Sequence, residues 1–113
     1  MKIVHLADCK PYAAAKHFNM TAMRLQAKDE TGTSKFWCGL SYFLPQGGAE
    51  WAYEDNPFEK VYVVLEGELT IKTKTEEKVM GPMDSVYLAP NEGREIKNNT
   101  NKMVTMLVVV NYP

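Results

Sequence analysis

Histidine and cysteine are scarce in this chain of 113 residues, with two of each. His5 and His17 both lie near the N-terminus, so everything after them is without an imidazole for metal binding or proton transfer. Cys9 and Cys38 stand apart, in no C-x-x-C or Cys/His spacing, which signals neither a zinc site nor a disulfide framework. Buried free thiols are the expectation. A charge excess is lacking too: thirteen Lys and Arg against fourteen Asp and Glu leave a formal charge of -1. That balance removes the broad attraction that nucleic acid or an anionic membrane exerts, so neither is an expected partner. No run approaches the roughly 20 apolar residues of a membrane span, and Asp8 interrupts Met1 to Lys10 before a signal-peptide core forms. A soluble, cytoplasmic protein is expected.

What is present is strand chemistry. With 45% apolar side chains the chain suffices for one core, so residues 1–113 are read as a single domain. Met20 to Gln26, Lys35 to Leu44, Ala49 to Glu54, Glu59 to Leu65, Glu68 to Lys74, Ser85 to Ala89, Arg94 to Asn98 and Met103 to Val110 are rich in β-branched and aromatic residues. Thr31-Gly32, Gly47-Gly48, Asn56-Pro57, Glu66-Gly67, Gly81-Pro82 and the polar run Asn98 to Lys102 are read as the turns between strands. Only Pro11 to Phe18, with proline first and three alanines, reads as briefly helical. Alternation places Glu95 and Lys97 on one face and Arg94, Ile96 and Asn98 on the other. Met103 to Val110 is apolar on both faces and is expected to be central. Such an all-β chain closes its sheets as a sandwich, a jelly roll or a barrel.

Two segments carry a resemblance. EKVYVVLEGEL, Glu59 to Leu69, resembles the first signature of the cupin superfamily, in which a strand ends in an L-E-G-E hairpin. DSVYLAPNEGREIKN, Asp84 to Asn98, resembles the second, and Pro45 to Gly48 opens the first motif. The resemblance covers roughly residues 41–110 and implies the double-stranded β-helix, a jelly-roll barrel, behind a short N-terminal helical or extended segment. It also implies a homodimer, for which an exposed edge strand supplies a physical reason. Asp84 and Asn98 are expected to serve the fold through turns and backbone bonds.

The departures from the family pattern matter more. Metal-binding cupins place two histidines and a glutamate in the first signature and a histidine in the second, ligands for Fe, Mn, Ni, Cu or Zn. Aligned on Gly67, the glutamate position is Lys60. The histidine pair falls on Glu54 and Asn56, or on Tyr53 and Asp55, and aligned on Asn98 the last histidine is Arg94. A protonated ammonium and a guanidinium ligate no metal and repel a divalent cation. No metal and no organic cofactor are therefore expected.

If the strands keep the family's orientation, Lys60 points inward with Tyr62 and Val64, and so does Arg94. Two cations in one cavity cost several kcal/mol each, roughly, unless a carboxylate or an anionic ligand compensates them. Glu54 and Asp55 are the internal candidates, and an acidic metabolite is the external one, because the Arg fork fits a carboxylate. Trp37, Phe43, Trp51, Tyr53, Tyr62 and Tyr87 are available to line the cavity.

The predicted roles follow. Lys60, Glu54 and Tyr53 are the candidate catalytic groups. Arg94, Tyr62, Trp51 and Asp55 are the candidate substrate-binding groups. The reaction class is a cofactor-free lyase, isomerase or decarboxylase acting on a small oxo or hydroxy acid. Two alternatives stand beside it: a binding or sensing module without chemistry, and a metal site of hard oxygen ligands from Glu54, Asp55 and Asn56. Against the functional reading, Lys60 at a strand edge would project into solvent, and Arg94 would bridge to Glu54, Asp55 or Glu59. The aromatics would be core, the methionines gap-filling, and His5 and His17 without a role.

Overall fold

The computed structural model describes residues 1–113. A single 3-10 turn, Leu6–Asp8, precedes β1 (Pro11–Tyr12) and β2 (His17–Gln26). A one-turn helix α1 (Lys28–Thr31) leads into β3 (Phe36–Ala52). Then come β4 (Lys60–Glu66), β5 (Leu69–Lys72), β6 (Glu77–Met80), β7 (Ser85–Leu88), β8 (Arg94–Lys97) and β9 (Val104–Asn111). All pairings are antiparallel, in the spatial order β6-β5-β8-β3-β9-β4-β7, with β2 also on β3 and β1 on β2. The result is the expected all-β jelly-roll barrel. β9 lies between β3 and β4, the central place its two apolar faces require.

Three readings change. Pro11 to Phe18 is extended rather than helical: β1 pairs with β2, and Ala13 to Ala15 connect them. Pairing to a neighbouring strand outweighs the weak helix preference of three alanines. Gly47-Gly48 is not a hairpin turn but lies within β3, along which the pairing partners change. Its first half pairs with β2 and β9, and its second half with β8 and with His17 and Phe18 at the start of β2. The corner needs glycine because a Cβ on Gly48 would collide with the Ile96 carbonyl, and one on Gly47 with that of Asn19. Finally, β6 was not foreseen, since Glu77 to Met80 exposes all but Met80 and has little apolar signal.

Alternation sorts the interior as expected. Lys60, Tyr62 and Val64 are buried from β4; Arg94 and Ile96 from β8, followed by Asn98. They join a core of Phe43, Leu69, Ile71, Leu88, Val104 and Met106. Met80 and Met106 fill this core, whereas Met83 and Met103 are exposed. Both thiols are free but only half-buried, a correction to the buried expectation. Asn98 does serve the fold. Its Nδ2 lies 3.0, 3.1 and 2.7 Å from the carbonyls of Phe43, Leu44 and Lys102, while Oδ1 accepts from Thr100. Asp84 accepts the Gly81 N–H at 2.8 Å and closes its turn.

Candidate ligand-binding site

Strand polarity gathers the interesting side chains at one end of the barrel. Arg94 and Lys60 are the first residues of β8 and β4, and they pair with Ala52 and Val110 near the ends of β3 and β9. Trp37, near the start of β3, also pairs with Val110. A cavity of about 230 Å³ opens there, with Tyr53, Tyr62, Arg94 and Ile96 on its wall and no Asp or Glu among the residues lining it.

Arg94 is 1% exposed, yet it has no carboxylate partner. Its Nε donates to the Tyr62 hydroxyl at 3.1 Å and its Nη1 to the Glu50 carbonyl at 3.0 Å. Those two bonds hold the fork, and Nη2 makes no hydrogen bond within the protein. Lys60, also 1% exposed, donates to the Phe58 carbonyl at 3.1 Å. Neither the solvent-facing lysine nor the arginine salt bridge is found. Burial, reinforced by Arg94, pulls the Lys60 ammonium down to about 8 against a small opposing effect of Glu92. Tyr53 touches both cations: its ring centroid is 4.1 Å from Lys60 Nζ and 4.8 Å from the Arg94 guanidinium carbon. Its backbone is left-handed, with φ 71°, a conformation that costs a bulky residue of order 1 kcal/mol or more. Tyr62 is buried, and that burial raises its phenol despite the adjacent guanidinium, so it stays protonated.

The predicted residues therefore divide. Arg94, Tyr53 and Tyr62 line the cavity; Lys60 sits beside Tyr53 but off the wall. Glu54, proposed as the partner acid, instead pairs with Lys74 at the surface and accepts from Trp51 Nε1 at 3.1 Å. That pairing holds its carboxyl below the usual range. The Trp51 ring packs on Gly93, where an added Cβ would meet Cζ2 at 2.5 Å, and Asp55 is exposed. None of these three is on the wall. Of the other aromatics, Trp37 lines the cavity, Phe43 is core, and Tyr87 bonds Glu59 outside.

The N-terminal strands supply what sequence reasoning passed over. Tyr12 from β1, and His17, Ala22 and Arg24 from β2, line the same cavity, with Ser41 from β3 opposite. Arg24 lies 3.9 Å from the Tyr12 ring centroid and 5.6 Å from that of Trp37. His17 Nδ1 is 2.7 Å from the Ala15 carbonyl, and burial holds the imidazole below its ordinary range. The Arg94 charge adds to that lowering, while the bond to Ala15 opposes it. Part of the signal is available: Met23 and Arg24 fall within the strand read at Met20 to Gln26, whereas His17 lies in the stretch that reads as helical, and only the fold joins it to β2.

The donors do not suit the metal that many jelly rolls of this kind hold. Lys60 and Arg94, which the resemblance sets at ligand positions, carry ammonium and guanidinium groups, and nowhere do three His, Cys, Asp or Glu side chains converge. The oxygen-ligand alternative meets the same obstacle. Glu54 is engaged by Lys74 and Trp51, and Asn56 Oδ1 accepts the Phe58 N–H at 2.9 Å.

A jelly-roll barrel with a largely apolar cavity that carries two arginines defines a class, and comparison gives it a family. The cupin domain profile matches residues 40–110, and the chain belongs to the cupin family. It is 41% identical over 113 residues to a Mycobacterium tuberculosis protein named a β-D-galactosidase, covering 100% of this chain and 96% of that one. The polyketide cyclase RemF of Streptomyces resistomycificus superposes with TM-score 0.86 at 20% identity, covering 98% of this chain and 79% of that one. A predicted oxalate decarboxylase of Thermotoga maritima does so with TM-score 0.84 at 14% identity, covering 99% and 100%. These two similarities establish the fold. No helix is long and apolar enough to cross a membrane.

Proposed function

We propose that the protein binds a small carboxylate-bearing metabolite, an oxo or hydroxy acid, in the barrel and moves a proton on it without a metal. Isomerisation, dehydration and decarboxylation fit that description. The observation that supports this reading is Arg94, a buried guanidinium with an unused Nη2 on a cavity wall that carries no carboxylate. Such a guanidinium gains from a carboxylate because its own desolvation is already complete in the folded protein. Tyr62 orients the fork and remains able to donate its own proton to a ligand oxygen. Tyr53 shields both cations. Lys60, off the wall, adds positive potential behind it. Glu54 and Trp51 brace the strand end from outside through their mutual hydrogen bond.

Calorimetry against a panel of small oxo and hydroxy acids tests this, with product followed by NMR. Micromolar binding that disappears in Arg94→Met is the expected result. Binding unchanged in that variant overturns the reading, and binding without product reduces it to a sensor. Stoichiometric transition metal in the purified protein would refute metal independence.

A second reading, β-galactoside hydrolysis, is favoured by the name of the 41% identical relative. Glycosidases ordinarily use two carboxyl groups flanking the bond, and the cavity wall offers none. Release of nitrophenol from a nitrophenyl β-galactoside decides between the two. As for assembly, Val61 and Leu65 are exposed on the outer face of β4, and a second copy covering them would give a homodimer. Light scattering at the dimer mass is expected.

A further inference from the structure

The cavity wall contains few groups able to accept a proton near neutral pH. Arg24 from β2 and Arg94 from β8 stay charged, and Tyr12, Tyr53 and Tyr62 from β1, β3's end and β4 are phenols. Ser41 is a neutral hydroxyl. His17 remains. A carbonyl oxygen only accepts, so the 2.7 Å contact with Ala15 puts the proton of the neutral ring on Nδ1. Nε2 is then a free lone pair on a side chain that lines the cavity.

We propose that His17 is the general base of this cavity, taking the C3 proton of a 2-oxo acid whose carboxylate is held by Arg94. This rests on the carboxylate-binding reading above. The C3–H bond breaks, its proton goes to Nε2, and its electron pair forms the C2–C3 double bond of an enolate. The negative charge moves to the C2 oxygen, beside the carboxylate, where the guanidinium and the Tyr62 hydroxyl are placed to stabilise it. The imidazolium then returns the proton to carbon; where C4 carries a hydroxyl, the C2 carbonyl re-forms instead, the enolate pair makes the C3–C4 double bond, the C4–O bond breaks, and the proton goes to the leaving oxygen as water. No oxidant or reductant is involved. Burial and the Arg94 charge favour the neutral imidazole, the form a base requires, against the opposing bond to Ala15.

The test is hydrogen–deuterium exchange at C3 of 2-oxobutyrate and 2-oxoglutarate in D2O, followed by NMR, with calorimetric binding of the same acids measured in parallel. The wild-type protein is expected to accelerate exchange, with a rate at saturating acid that rises on the acid side of an ordinary imidazole's titration and is flat from there through neutral pH. His17→Asn keeps an N–H where Nδ1 was, and is expected to lower exchange at least 100-fold while affinity changes less than threefold. Exchange that survives in His17→Asn overturns the assignment and leaves the carboxylate reading standing. So does binding by the wild-type protein with no exchange at any pH. Absence of binding as well overturns both. If His17→Asn does not fold, the wild-type profile decides. A rise through about 8 assigns the base to Lys60 and overturns His17.

Discussion

Two pairs of charges lie within one stretch of chain and meet opposite fates. Glu54 and Lys74 join at the surface, both in water, where an ion pair has little net effect. Lys60 and Arg94 are each 1% exposed and have only carbonyls, a hydroxyl and an aromatic face as partners. The surface pair is complete and inert. The interior pair is structurally held but electrostatically open, which is the condition for recognising an anion rather than for stabilising a barrel.

The largest way to break this contrast is Arg94→Met. Carboxylate affinity measured by calorimetry is expected to fall about 100-fold, in keeping with loss of a charge-assisted bond from Nη2. Equal affinity would mean that the interior is as inert as the surface. Next is Lys60→Met, which removes a buried charge lacking a counterion. It is expected to raise the thermal midpoint by several degrees, corresponding to about 1 kcal/mol or more. A fall would show that the bond to Phe58 and the Tyr53 face already compensate the ammonium.

The same lysine gives a pH signature. Its folded-state pKa of about 8 lies below an unfolded value near 10.4. Between those values the unfolded chain holds more protons, so this group makes stability rise with pH across the window, and below about 8 its penalty is fully present. Denaturation of wild type minus that of Lys60→Met, measured from pH 7 to 11, is expected to show that rise. Carboxylate affinity is expected to weaken over the first part of the window, as the ammonium loses its charge. Smallest of all, Glu54→Gln is expected to leave both ligand affinity and the thermal midpoint unchanged within error. A marked loss of affinity would return Glu54 to the site.

The legible parts of the sequence were those governed by period two and by motif register. Lys60, Tyr62 and Arg94 face inward because a strand side chain has only two choices and their neighbours settle which. The illegible parts depend on contacts between distant segments. Gly47-Gly48 has the composition of a turn, and only the carbonyls of Asn19 and Ile96 explain why it is the corner of β3. Glu54 falls at a ligand position of the family, but a bulged strand end and Lys74 draw it outward. His17 and Arg24 lie before the segment that resembles cupins, and nothing local marks β2 as a wall of the cavity. The site is thus shared between a recognisable half and a half whose role emerges only when β2 lies against β3.

Ala13, Ala14 and Ala15 form part of the cavity wall with nothing larger than methyl groups. The three alanines of the four-residue connection between β1 and β2 therefore bound the cavity on that side. Enlarging one of these alanines to valine or leucine would trim that room while leaving the cationic anchor untouched. Selectivity for chain length could in this way drift among relatives independently of the chemistry at the far wall.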